Sequence, residues 1–136
     1  MSVSSNQAAV REVIAEAFNQ GNFDVLTHHF EPGYVERQFG LRPTIEGMQQ
    51  DIQSLRTWFP DLSLTIEDMV EVDDKVWVRS TARGTNRGGF MGPPNGKSFE
   101  IAVFDVLRFD MGKIVEHWGA PDRFALMAQL GLLPKR

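Results

Sequence analysis

Two residues of the 136-residue chain pair acid–base chemistry with a spacing that could bring them together, Asp105 and His117. They lie in residues 98–122, SFEIAVFDVLRFDMGKIVEHWGAPD, where two runs of strand character flank Phe109-Asp110-Met111-Gly112-Lys113. That stretch fits a three-residue hairpin loop, a type I turn closed by a G1 bulge. Gly112 then takes the position that needs φ > 0. Such a loop pairs Phe109 with Lys113, so Asp105 faces His117 and Val103 faces Gly119. Alternation places Phe99, Ile101, Val103, Asp105, Leu107, Val115, His117 and Gly119 on one face. A two-residue turn at Met111-Gly112 would instead oppose Asp105 to Trp118 and turn His117 to the other face.

A histidine oriented by a carboxylate is a competent general base near neutral pH, and such catalysis gives on the order of 10²–10⁴-fold. In an apolar wall each ion alone is disfavoured, while a carboxylate beside an imidazolium stabilises both. The two therefore titrate as a unit. The plain alternative is a buried Asp–His hydrogen bond that only satisfies two polar groups.

The elements that must position this pair follow from periodicity. Ser4-x-x-Gln7 reads as a capping box opening a helix whose apolar stripe is Val10, Val13, Ile14, Ala17 and Phe18, stopped at Gly21. A second, shorter helix with Phe23, Leu26 and Phe30 inward is closed by Pro32-Gly33. His28 and His29 on it read as solvated or edge histidines. Residues 34–43 have no clear period and read as a loop with a short extended piece. Thr44 caps a third helix with Met48, Ile52, Leu55 and Phe59 on its buried stripe. From Leu62 the period becomes two, through Leu64 and Ile66, a turn at Asp73-Asp74, then Val76, Val78, Ser80 and Ala82. Residues 84–97 form a glycine- and proline-rich connection. It ends Gly96-Lys97-Ser98, but Met91 stands where a phosphate loop needs glycine and Pro93-Pro94 lack backbone donors, which excludes nucleotide binding there. After the hairpin, Asp122 caps a last helix with Phe124, Met127 and Leu130 inward.

Three helices, a four-strand antiparallel meander and a closing helix give an α+β fold. The sheet curls around its apolar face and leaves a pocket. Length alone points to a single domain over residues 1–136. The formal charge of −4 argues against nucleic acid or an anionic membrane as partner. Cysteine is absent, which excludes disulfides and thiolate chemistry. No two histidines at ligand spacing face His117, so no metal is expected. With neither a membrane-length apolar run nor a signal-like N-terminus, a soluble cytoplasmic protein is expected. The sheet's other face combines Trp77, Phe104, Val106 and Trp118 with Arg79, Arg83, Glu100 and Arg108. That is more apolar surface than a monomer usually exposes, and it predicts a homodimer.

Phe59-Pro60-Asp61, the run from Gly84-Thr85 through Gly92-Pro93-Pro94-Asn95-Gly96-Lys97, and Gly112-Lys113-Ile114-Val115-Glu116-His117-Trp118 with Pro121-Asp122 carry a resemblance. With them, nearly the whole chain resembles the SnoaL-like polyketide cyclases and ester cyclases of the nuclear transport factor 2-like superfamily. The resemblance implies a cone-shaped sheet, frequent dimers or tetramers, and a cofactor-free acid/base site acting on a hydrophobic, polyketide- or terpenoid-like molecule. The family's catalytic aspartate falls on Gly119 and its nearby histidine on Asp105, so both positions depart from the pattern. What remains is Asp105 with His117 as the catalytic pair. Phe18, Tyr34, Phe39, Trp58, Val103, Leu107 and Gly119 are the residues expected to contact substrate. Two readings stand: an enzyme of cyclisation or isomerisation, with epoxide hydrolysis behind it, or a small-molecule binding or accessory protein that lost its chemistry at Gly119.

Overall fold

The computed structural model describes residues 4–134. Helix α1 (Ser5–Glu12) is capped by Ser4, whose Oγ accepts from the Gln7 N–H at 3.0 Å. It continues without a break as a π-helical stretch, Val13–Phe18, and Gly21 ends it in the left-handed region at φ 72°. Then come α2 (Asp24–His29), β1 (Phe30–Glu36), α3 (Ile45–Trp58), β2 (Ser63–Val72), β3 (Lys75–Thr85), β4 (Ser98–Asp110), β5 (Lys113–Pro121) and α4 (Arg123–Gln129). The expected α+β fold is therefore present, with one more strand than the sequence pattern discloses. The sheet order is β1-β5-β4-β3-β2, and β1 runs parallel to β5 while every other pair is antiparallel.

Strand β1 corrects the expectation of a helix through Phe30 followed by a loop. The helix stops at His29, and the chain runs extended through Pro32 and Gly33. An edge strand tolerates proline because no neighbour on that side requires its missing donor. The pairing with β5 is irregular between Phe30 and Val35, where Pro32-Gly33 sit. Phe30 and Tyr34 are buried and Val35 is exposed, so a period of two exists, but over too few residues to stand out.

The hairpin also differs from expectation. Asp110 pairs with Lys113, and the two-residue turn has Met111 at φ 52° and Gly112 at φ 79°, the pattern of a type I′ turn. A register shift then falls between Arg108 and Phe109, where Phe109 pairs with Ile114 but Arg108 pairs with Glu116. Val115 is the extra residue of a bulge. The bulge switches parity: Ile114, not Val115, is the fully buried residue, and above it His117 returns to the inner face. Asp105 thus faces Gly119 and Leu107 faces His117. The predicted face survives, and the predicted cross-strand partners shift by two.

Two apolar clusters fill the concave side. Val10, Leu26, Phe30, Ile52, Val76, Leu107, Phe109 and Ile114 belong to the first. Phe59, Leu62, Ala82, Phe99, Ile101 and Leu130 form the second. On β4 the second cluster claims Phe99 and Ile101 while the first claims Leu107 and Phe109. Asp105 stands at the seam between them. In α4 the inward residues are Ala125, Leu126 and Leu130, whereas Phe124 is exposed. The helix spans seven residues, and i, i+4 packing of Leu126 and Leu130 leaves Phe124 on the opposite side.

Candidate active site

Strand β5 lies between β1 and β4, and this order assembles the site. Glu36 is the Cα partner of His117 across the parallel pair. Asp105 lies diagonally across the antiparallel pair. The His117 ring is held at both nitrogens, with Nδ1 2.6 Å from Glu36 Oε2 and Nε2 2.7 Å from Asp105 Oδ1. With both carboxyls ionised they can only accept, so each ring nitrogen then carries a proton and the ring is an imidazolium. Burial opposes that charge, but hydrogen bonds from Asp105 and Glu36, together with their negative charges, outweigh it and raise the pKa to about 9. At neutral pH the ring is therefore a cation held between two carboxyl groups.

The two carboxylates are not equivalent. The Glu36 side chain is 1% exposed and that of Asp105 19%. Glu36 also accepts from the Tyr34 hydroxyl (3.3 Å) and from the Gln38 N–H (3.0 Å). Burial pushes the Tyr34 phenol well above its usual range, and the neighbouring Glu36 carboxylate adds to this, so Tyr34 stays a donor. Asp105 is engaged only through Oδ1, and among the described residues nothing binds its Oδ2. Ser80 shares this inner face two residues on from Val78, the partner of Asp105. Its Oγ is buried without a partner among the described residues.

Gly119 is constrained by the same neighbours. A Cβ there would lie 2.0 Å from Gln38 Oε1 and 2.8 Å from Asp105 Oδ1. The Gln38 amide first, and the Asp105 carboxylate behind it, therefore occupy the space into which a side chain at residue 119 would project. On the outer face, Glu116 accepts from Arg37 Nε at 2.8 Å and from Arg108 Nε at 2.9 Å. The hydrogen bonds from Arg37 and then Arg108 hold its carboxyl below the usual range.

The remaining expected residues divide. Leu107 is buried opposite His117, and Tyr34 is buried against Glu36. Val103 is part-buried against the second cluster and Phe18 against the first. Trp58 packs on Phe59 and Phe90, as core filler. Phe39 does not reach the interior: it is 91% exposed, on a loop held by Arg123 Nη2 donating to its carbonyl at 3.1 Å. His29 bonds Glu12 at 3.1 Å near the surface, as an edge histidine does. Glu36 went unread because residues 34–43 show no long period. The only signal was the alternation Tyr34-Val35-Glu36.

Residues 8–130 match the SnoaL-like polyketide cyclase family. The chain belongs to that family. Solved structures agree with the assignment. TsrD from Streptomyces laurentii is 31% identical, with 98% of this chain and 99% of that one covered and a TM-score of 0.87. IdmH, a polyketide cyclase candidate from Streptomyces antibioticus, is 33% identical over 94% of this chain and 99% of its own, with a TM-score of 0.84. AclR, a hydroxylase candidate from Streptomyces galilaeus, is 30% identical over 98% and 89%, with a TM-score of 0.85. No curated protein sequence is significantly similar to the chain. Among the described residues, no helix is long and apolar enough to cross a membrane. No group of three or more His, Cys, Asp or Glu among them could hold a metal ion.

The charged ring of this SnoaL-like protein links its stability to pH. His117 has a folded pKa near 9 against 6.5 for the free side chain. Its contribution is therefore complete below pH 6.5 and is lost as pH rises through 9, amounting to on the order of 3 kcal/mol. Urea denaturation at pH 6 and pH 9.5 should show this loss in wild type. In His117→Gln the stability should change far less between the two pH values, and an unchanged loss would mean that His117 is not its source.

Proposed function

We propose that this SnoaL-like protein is a cofactor-independent acid/base enzyme. Its substrate is a hydrophobic polyketide- or terpenoid-like molecule, and its reaction is cyclisation or isomerisation. One observation carries the reading: the part-exposed Asp105 carboxylate is bound by His117 at Oδ1, and its Oδ2 has no hydrogen-bond partner among the described residues. Asp105 is the proton acceptor, not His117, because both imidazole nitrogens are already protonated. Oδ2 takes a proton from carbon next to a substrate carbonyl, the C–H bond breaks, and the electron pair becomes an enolate. The imidazolium charge favours that build-up of negative charge. In ring closure the enolate carbon bonds to a second carbonyl carbon, and the alkoxide formed there recovers the proton from Asp105. In isomerisation the proton returns to a different carbon.

The binding-protein reading draws on the missing carboxylate at residue 119. Its weight falls because a carboxylate is still present beside residue 119, that of Asp105 on the opposed strand, while Gln38 takes most of the space such a side chain would use. The test is deuterium wash-in from D2O at the acidic carbon of a polyketide-like β-keto ester. Wild type should exchange faster than buffer, and Asp105→Asn should lose about 10²-fold or more of that rate. No exchange above buffer would favour the binder, and full activity in Asp105→Asn would remove Asp105 as the proton acceptor.

The working form we propose is a homodimer built on the outer face of the sheet. Val70, Trp77 and Phe104 are each more than half exposed there. A groove of about 480 Å³ runs between them, with Val106 and Trp118 in its wall and Arg37 and Arg79 along it. A stable dimer interface buries roughly 800 Å² per partner, and an aromatic centre with an arginine rim suits that role. Light scattering at micromolar concentration should give a dimer mass for wild type and a monomer mass for Phe104→Arg. A monomeric wild type would contradict the assignment.

A further inference from the structure

The proton transfer just described uses Asp105 and the charge on His117, and leaves Glu36 without a task. Yet Glu36 is the more enclosed of the two carboxylates and the better supplied with donors. A neutral histidine beside a single carboxylate has one protonated nitrogen and one free to accept. With Asp105 alone, the ring could present a bare nitrogen at either position, and the proton could be shared with Asp105. The second carboxylate removes that freedom. It claims Nδ1–H, which leaves Nε2–H to Asp105 and fixes the ring plane between two anchors on neighbouring strands.

We infer that Glu36 is a positioning residue that locks His117 as a doubly protonated cation, so that Asp105 is the only member of the set able to accept a substrate proton. The inference rests on the acid/base reading of the site for its catalytic meaning, but its physical content concerns the ring alone. The surroundings support the assignment. Glu36 cannot leave the ring cheaply, because the Tyr34 hydroxyl and the Gln38 N–H also hold it. The titratable groups facing the ring are Glu36 and Tyr34 from β1 and Asp105 from β4. From α3, Met48 Sδ meets the Tyr34 hydroxyl, and Asp51 lends Tyr34 further negative potential while it is held by the Arg42 N–H at 3.0 Å. The cation next along β1, Arg37, turns to the outer face onto Glu116 and does not neutralise Glu36.

Histidine side-chain NMR on ¹⁵N-labelled protein tests this without any substrate. Wild type should show both His117 ring nitrogens protonated at pH 7.5, with Nδ1–H protected from exchange with water. Glu36→Gln keeps a hydrogen-bonding side chain of the same length and removes its charge. In that variant the ring should titrate lower by on the order of 1–3 pH units, and Glu36→Asp should recover part of the shift. A wild-type ring that is neutral at pH 7.5, or whose Nδ1 is bare or exchanges freely, would overturn the inference even if Glu36→Gln failed to fold. An unchanged titration in a folded Glu36→Gln would overturn it as well. Because turnover is not measured, the ring's state and the enzyme reading fail separately: a locked cation with no deuterium wash-in would retire the enzyme and leave the role of Glu36 standing.

Discussion

A positive ring held between two carboxylates in the wall of an apolar cone is the interaction on which the rest of this structure depends. Each of the three charges alone would lose several kcal/mol on leaving water. Together they leave one uncompensated negative charge, and the fold decides where it resides. Glu36 is covered and fully bonded, so the remainder is expressed at Asp105, the more exposed carboxylate. The contact that makes burial of these groups tolerable uses only one oxygen of Asp105 and leaves Oδ2 without a partner among the described residues.

The strands that carry this set are fastened on both faces by complementary charges. Inside, the sequence across β1, β5 and β4 is Glu36, His117, Asp105, negative–positive–negative. Outside it is Arg37, Glu116, Arg108, positive–negative–positive. Glu36 at the end of β1 with Arg37 just after it, and consecutive residues of β5, supply both rows, because side chains alternate along extended chain. The parallel edge strand β1 contains a proline and pairs irregularly, and these rows tie its C-terminal end to the sheet. The bulge at Val115 makes the arrangement possible. Without its change of parity, a two-residue turn would leave His117 on the outer face and Glu116 inside.

Most of the fold was legible because long amphipathic segments leave unambiguous periods. The stripe Met48, Ile52, Phe59 and the alternation Val76, Val78, Ser80, Ala82 are packed as their spacing requires. The Asp105–His117 contact was legible for a less secure reason. The sequence favoured a three-residue loop with one bulge, whereas the chain uses a two-residue turn and a separate bulge, and the two routes share a parity. Glu36 was hidden because a parallel edge strand has no local partner: its pairing is set through β5, some 80 residues away, and its proline mimics a helix stop. At Gly119 the sequence shows only a missing carboxylate, whereas the structure adds a spatial fact, that Gln38 and Asp105 converge where its side chain would be. That information exists only once the strands are paired.

The claim on which this account stands is that His117 holds two protons while Asp105 holds none. Neutron diffraction from perdeuterated crystals grown near pH 7.5 reads this directly. The account predicts nuclear density for deuterium at both Nδ1 and Nε2 of His117 and none on Asp105 Oδ2. Deuterium on Asp105 Oδ2, or a His117 ring with one bare nitrogen, would contradict it.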